Sequence, residues 1–210
     1  MELKVCGLNR KENIINVCSI EPGYIGFIFF RGSKRYIGKD TVKDVACVIS
    51  PLIKKVGVFV NASLEEVINT FQDMSLDYVQ LHGNESIDFC EILFNNQIPV
   101  IKAFGVSDNI DFDAVDRYSP WCSFFLFDNA GQSRGGTGRM FNWNVMKDYP
   151  LSTPYFLSGG IGPDEIEKIK TLNQEKLHAI DVNSRFETEP GLKDIKALTV
   201  FYDKLKYIYE

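Results

Sequence analysis

The segment 55-KVGVFVNASLEEVINTFQDMSLDYVQLH-82 reads as one complete strand–helix–strand unit. "KVGVFV" (55–60) and "YVQLH" (78–82) are short, rich in Val, Phe and Tyr, and almost continuously apolar, the pattern of strands buried on both faces. Between them Ser63 is a good N-cap, with Glu66 three residues on in capping-box spacing. Leu64, Val67, Ile68 and Phe71 then fall on one helical face. Two doubly buried strands joined by a helical crossover predict parallel pairing, because such a connection has the length a parallel return needs.

The same unit recurs in both directions. Further β-like runs occupy 2–6, 24–30, 99–104, 123–128, 155–158 and 179–183, which makes eight in all. Their starts are about 21–32 residues apart, and each gap fits one crossover helix with its loops. Pro163 and Asp164 mark a predicted helix start, and Leu192, Ile195, Leu198, Phe201, Leu205 and Ile208 form an apolar stripe along a predicted last helix. Eight evenly spaced units in 210 residues predict an α/β fold, a (β/α)₈ barrel of eight parallel strands forming one domain over residues 1–210. An open doubly wound sheet is the alternative, but no G-x-G-x-x-G follows the first strand.

Composition narrows the function. With 28 acidic against 23 basic residues the net charge is −5, and no Lys/Arg cluster offers the basic face that nucleic acid requires. No apolar run approaches the ~20 residues of a membrane span, and the N-terminus lacks the form of a signal peptide, so the expected location is cytoplasmic. The five cysteines are scattered and contain no C-x-x-C, which argues against a disulfide framework and a zinc site. The sequence leaves monomer and homodimer equally open.

Barrel enzymes place their sites at the C-terminal ends of the strands. Those positions here include Cys6, His82, Asp128, Ser158–Gly159 and Asn183–Ser184. Cys6 reads either as a small buried hydrophobe, as most free cysteines are, or as an acid–base group with Lys4 below it on the same strand face favouring the thiolate. Asp128 reads either as a loop cap or as a carboxyl acting at the mouth beside the glycine-rich run "DNAGQSRGGTGRMFNW" (128–143). "SGGIGPDEI" (158–166) and "DVNSRFETEPG" (181–191) have the composition of a phosphate grip after strands 7 and 8. His82, a lone strand-end histidine, reads as a substrate contact, and "RGSKRYIG" (31–38) supplies local cations for an anionic substrate.

These motifs, in this order, resemble the phosphoribosylanthranilate isomerases of tryptophan biosynthesis. "KVCG", "VQLHG" and "GGTG" with "FNW" carry the resemblance most specifically, and it runs from the first strand to the last helix. The resemblance implies a cofactor- and metal-free barrel performing an Amadori rearrangement on a small phosphorylated substrate, without nucleic-acid or membrane partners. It implies Asp128 as general acid and Cys6 as general base. It implies Arg35 on the anthranilate carboxylate with His82 lining that pocket, and a phosphate on Gly159, Gly160, Asn183 and Ser184 with Gly136 near it. Asp181 would orient the strand-8 loop. The strand-2 loop departs from the family's "P-x-S-P-R-Y" pattern by reading "RGSKRY", and the strand-8 motif carries Asn183, Arg185 and Phe186 where small residues and glycine are usual. Another phosphate-binding barrel isomerase or synthase, and a non-catalytic ligand-binding barrel, are the competing readings.

Overall fold

The structure, a computed structural model, describes residues 1–107, 109–130, 141–172 and 175–209. Among them eight parallel strands close into a barrel in sequence order. They are β1 (Glu2–Cys6), β2 (Tyr24–Ile28), β3 (Lys54–Phe59), β4 (Tyr78–Leu81), β5 (Val100–Val106), β6 (Phe124–Asn129), β7 (Tyr155–Leu157) and β8 (Leu177–Val182). The barrel shuts where β1 pairs with β8, in a register that sets Lys4 beside Asp181. The open sheet is thereby excluded.

The runs are apolar throughout because both faces of each strand are covered. Outward residues pack under helices α1 (Lys11–Cys18), α2 (Lys39–Ala46), α3 (Leu64–Asp73), α4 (Ile87–Asn95), α5 (Phe112–Asp116), α6 (Ile166–Lys170) and α7 (Ile195–Lys206). Inward residues Tyr24, Val56, Ile101, Leu126 and Phe156 fill the lower barrel as a separate apolar cluster. Ser63 caps α3 as its sequence predicts, its hydroxyl accepting from the Glu66 N–H at 3.1 Å.

Three local expectations change. The helix predicted from Pro163 begins at Ile166, because Gly162 donates to the Glu165 carboxylate (2.8 Å) and holds residues 162–165 in a turn. The last helix begins at Ile195, capped by Asp194, and Leu192–Lys193 instead form β10, an antiparallel partner of β9 (Glu187–Glu189). Asn13 pins that strand from α1, bonding Lys193 through both its N–H (2.7 Å) and its carbonyl (2.9 Å). Between β6 and β7 the described residues contain a 3₁₀ turn, Trp143–Met146, in place of an α-helix.

Candidate active site

Alternation along each strand sends every second side chain inward. On β1 this places Lys4 and then Cys6, on β4 Gln80 and then, one residue past the strand, His82, on β6 Leu126 and then Asp128, and on β8 Asp181, with Asn183 one residue past that strand. The upper members of these pairs line one cleft at the C-terminal end of the barrel, together with Ser158, Gly159, Gly160 and Ser184. Its volume is ≈ 760 Å³, counting the part open to solvent.

The cleft rests on a polar layer inside the barrel. Lys4, Gln80 and Asp181 are only 0%, 1% and 5% exposed. Lys4 Nζ donates to Gln80 Oε1 at 2.8 Å and to Asp181 Oδ1 at 2.9 Å. Burial penalises the Lys4 ammonium, yet Asp181 and Cys6 beside it hold its pKa above the ordinary lysine value.

Cys6 is buried, and Gly26, its partner on β2, makes room for the thiol. A Cβ at Gly26 would lie 2.7 Å from Cys6 Sγ. Burial pushes the Cys6 thiol up, and the Lys4 and Lys193 ammonium groups act against that rise without cancelling it. The thiolate-favouring influence expected of Lys4 is therefore present but outweighed. A thiol of this kind is neutral at rest and strongly basic once ionised.

Asp128, the penultimate residue of β6, is half-buried. Its Oδ1 accepts the Asn129 N–H at 2.7 Å, and its Oδ2 lies 3.4 Å from His82 Nε2. Gly159, at φ +91°, brings the β7 loop against it, since a Cβ there would sit 2.8 Å from Asn129 N and 2.9 Å from Asp128 Oδ1.

The structure therefore gathers Cys6, His82, Asp128, Gly159, Gly160, Asp181, Asn183 and Ser184 around one cleft. Two of the expected site residues have partners that the sequence does not show. Asp181 accepts from Lys4 at 2.9 Å, since the register puts the two side by side, and it lines the cleft with Asn183 and Ser184. Arg35 is buried next to the cleft residue Asn183, since a Cβ at Gly7 would lie 2.7 Å from Arg35 Cδ and 2.8 Å from Asn183 Oδ1, and its guanidinium is held by the Glu187 carboxylate through contacts of 2.9, 3.0 and 2.6 Å. Gly136 and the rest of residues 131–140 lie outside the described residues. Arg31 and Lys34 are exposed, and Arg31 stacks over the Tyr36 ring.

Sequence reasoning missed Gln80, Glu187 and Lys193. Lys193 Nζ donates to Glu187 Oε1 (2.6 Å) and Asn183 Oδ1 (2.7 Å), which puts a second buried ammonium behind Cys6. An amide inside an apolar strand was a readable signal for Gln80. Nothing local marked the other two. Among the described residues no group of three or more His, Cys, Asp or Glu is placed to hold a metal ion, and no helix is long and apolar enough to cross a membrane.

Comparison with known proteins covers nearly the whole chain. The sequence profile of the family described as N-(5′-phosphoribosyl)anthranilate (PRA) isomerase matches residues 3–204. An N-(5′-phosphoribosyl)anthranilate isomerase from Parabacteroides distasonis is 40% identical over 208 residues, 98% of this chain and 93% of that protein. The crystal structure of phosphoribosyl anthranilate isomerase from Thermotoga maritima superposes with a TM-score of 0.88 at 31% identity, over 99% of both chains. A phosphoribosyl anthranilate isomerase in complex with reduced 1-(o-carboxyphenylamino)-1-deoxyribulose 5-phosphate gives a TM-score of 0.83 at 29% identity, again over 99% of both chains.

Proposed function

The chain belongs to the N-(5′-phosphoribosyl)anthranilate isomerase family and is an isomerase of tryptophan biosynthesis, and from that premise we propose that Cys6 is its general base and Asp128 its general acid. One observation carries this assignment: a thiol from β1 and a carboxyl from β6 line the same cleft as the glycine backbone of the β7 loop.

The reaction is an Amadori rearrangement. Asp128 gives its proton to the ribose ring oxygen as the C1′–O bond breaks, and the anthranilate nitrogen supplies its lone pair to form the Schiff base. The Cys6 thiolate then takes the C2′ proton, and the freed electron pair neutralises the iminium as an enolamine. Tautomerisation moves the enol proton to C1′ and leaves the ketone. One turnover leaves a carboxylate and a thiol, so one proton must leave Cys6 and one must reach Asp128. Asp128, 28% exposed, meets solvent at the mouth. The ammonium groups of Lys4 and Lys193 lower the cost of the thiolate that burial raises.

The substrate phosphate rests on the backbone of Gly159, Gly160 and Ser184 with Asn183 beside them, and Gly136 belongs to this grip by resemblance. Arg35 receives the anthranilate carboxylate and His82 lines that end of the cleft. For this the carboxylate must share or displace the Glu187 contact that Arg35 makes in the free enzyme.

The test is turnover of freshly prepared phosphoribosylanthranilate, followed by loss of anthranilate-type fluorescence. Cys6→Ala and Asp128→Ala are each expected to lower kcat by roughly 10²–10⁴, the ordinary worth of a positioned acid or base, with unchanged unfolding midpoints. Wild-type turnover in either folded variant rejects that residue's role.

A further inference from the structure

Between the buried ammonium of Lys4 and the carboxyl of Asp128 runs a short chain of polar contacts that the assigned acid and base do not account for. Lys4 Nζ meets Gln80 Oε1 at 2.8 Å. Gln80 Nε2 and His82 Nδ1 are 2.8 Å apart. His82 Nε2 lies 3.4 Å from Asp128 Oδ2. Three strand positions on β1, β4 and β6, with His82 one residue past β4, thus join a fully buried cation to the mouth.

The hydrogen-bonding inventory of these groups admits one arrangement. An ammonium has donors and no acceptor, so the side of the Gln80 amide that faces Lys4 must be its oxygen. The amide nitrogen then faces the imidazole and donates, and Nδ1 must accept. A neutral imidazole whose Nδ1 accepts carries its proton on Nε2. That N–H points toward Asp128. The opposite amide orientation would set NH₂ against the Lys4 ammonium within a layer that excludes water, leaving both donors unsatisfied.

Resting on the reading of Asp128 as the general acid, we propose that Gln80 is a positioning residue that fixes the neutral His82 ring with its proton on Nε2, as a hydrogen-bond donor to the carboxylate Asp128 becomes when it protonates the ring oxygen. In that step charge develops on Asp128. The Asn129 N–H already meets one oxygen at 2.7 Å, and His82 Nε2–H stands ready for the other. A donor aimed where charge develops stabilises the transition state more than the ground state. The present 3.4 Å separation is in keeping with catalytic contacts that tighten only in the complex. A ring protonated on Nδ1 would instead turn a lone pair toward the new carboxylate and repel it. Among the described residues, Asp181 from β8 faces Lys4, Asp128 and His82, Cys6 faces Lys4 from β1, and Lys193 acts on Cys6.

The experiment combines ¹⁵N NMR of the imidazoles, which reads protonation state and tautomer directly, with steady-state kinetics, both at pH 8. The chain has two histidines, and His178→Gln leaves the His82 signals alone in the spectrum. Wild type is expected to show the Nε2–H tautomer. Gln80→Glu keeps an acceptor for Lys4 but presents a second acceptor to Nδ1, so the tautomer reverses. Its kcat is expected to fall roughly ten- to hundredfold, below the 10²–10³ of deleting a donor outright because Gln80 acts through His82, with KM within about twofold. Gln80→Met, close in shape, is expected to give mixed tautomers and an intermediate kcat. An Nδ1–H tautomer in wild type overturns the proposal, and so does wild-type kcat in Gln80→Glu with its tautomer reversed. Asp128→Asn separates the two readings. Full activity there removes the acid and the donor's purpose together. An inactive Asp128→Asn beside a fully active Gln80→Glu removes only the role of Gln80.

Discussion

The guanidinium of Arg35 and the carboxylate of Glu187 form a buried pair joined by three contacts of 2.6–3.0 Å, and Lys193 holds the other side of the same carboxylate at 2.6 Å. One anion thus serves two cations from opposite ends of the chain. Burial pushes the Glu187 carboxyl up, but the Arg35 and Lys193 hydrogen bonds outweigh it and hold the group below the ordinary value. Glu187→Gln would leave two cations with no compensating anion. We expect a loss of about 3–5 kcal/mol, read from urea unfolding, as for other buried pairs broken on one side. A loss under 1 kcal/mol would mean that water reaches the cluster.

Arg35 itself is expected to act on binding. Arg35→Met should raise KM for phosphoribosylanthranilate about ten- to hundredfold, the 1.5–3 kcal/mol of a charged hydrogen bond, and change kcat far less. A substrate analogue lacking the ring carboxylate should bind wild type and variant alike. If the variant weakens both ligands equally, Arg35 does not meet the carboxylate.

Gly26→Ala tests the space around the base. The added methyl would stand 2.7 Å from Cys6 Sγ and 3.1 Å from the Cys6 Cα, so the thiol must move. Overpacking of this kind costs about 1–3 kcal/mol. Isomerase kcat should fall more than tenfold, since small misplacements of a reacting group are severe. Unimpaired turnover in the folded variant would show that the thiol's present position does not matter.

Lys4→Met has two separable consequences. It strands the Asp181 carboxylate in the barrel interior and should destabilise the protein by about 3–5 kcal/mol. Asp181→Asn added to it should recover part of that loss. The change also removes a cation that favours the Cys6 thiolate, so the alkaline-rising limb of the rate profile should move to higher pH. An unmoved limb would leave Lys4 a structural role alone.

Stability should fall at both pH extremes for identifiable reasons. Glu85 and Glu187 have folded pKa values below the ordinary 4.5, because Lys102 and backbone N–H groups on the first, and Arg35 and Lys193 on the second, outweigh burial. Their contribution is complete above 4.5 and is lost as pH falls through the lowered folded values. Cys18 runs the other way: burial pushes its thiol from 9.0 to about 11. Its neutral form stabilises the fold fully below 9 and loses up to about 3 kcal/mol as pH rises toward 11. Chemical denaturation across pH should show the alkaline decline shrink in Cys18→Ala.

The strand set was legible because period and apolar continuity are local properties. "KVGVFV" became Lys54–Phe59 and "YVQLH" became Tyr78–Leu81, with the Ser63 cap where its neighbours place it. Cys6, His82 and Asp128 were legible for the same reason: each lies within one residue of a strand end, and barrel geometry turns strand ends into one rim. The start of the last helix was not. Its apolar stripe runs through Leu192, but Asn13, far earlier in the chain, claims the Lys193 backbone for a strand.

The order of residues by itself determined the number of barrel strands, their parallel sense and which side chains stand at the rim, since each follows from spacing along a few neighbouring positions. Tertiary structure alone decided partners. That Lys4 meets Gln80 and Asp181, that Glu187 claims Arg35 before any substrate arrives, and that the Cys6 thiol is held neutral by burial against two ammonium groups are outcomes of barrel register and burial. Charges choose among the groups that closure brings within ~3 Å, and no local window contains that choice.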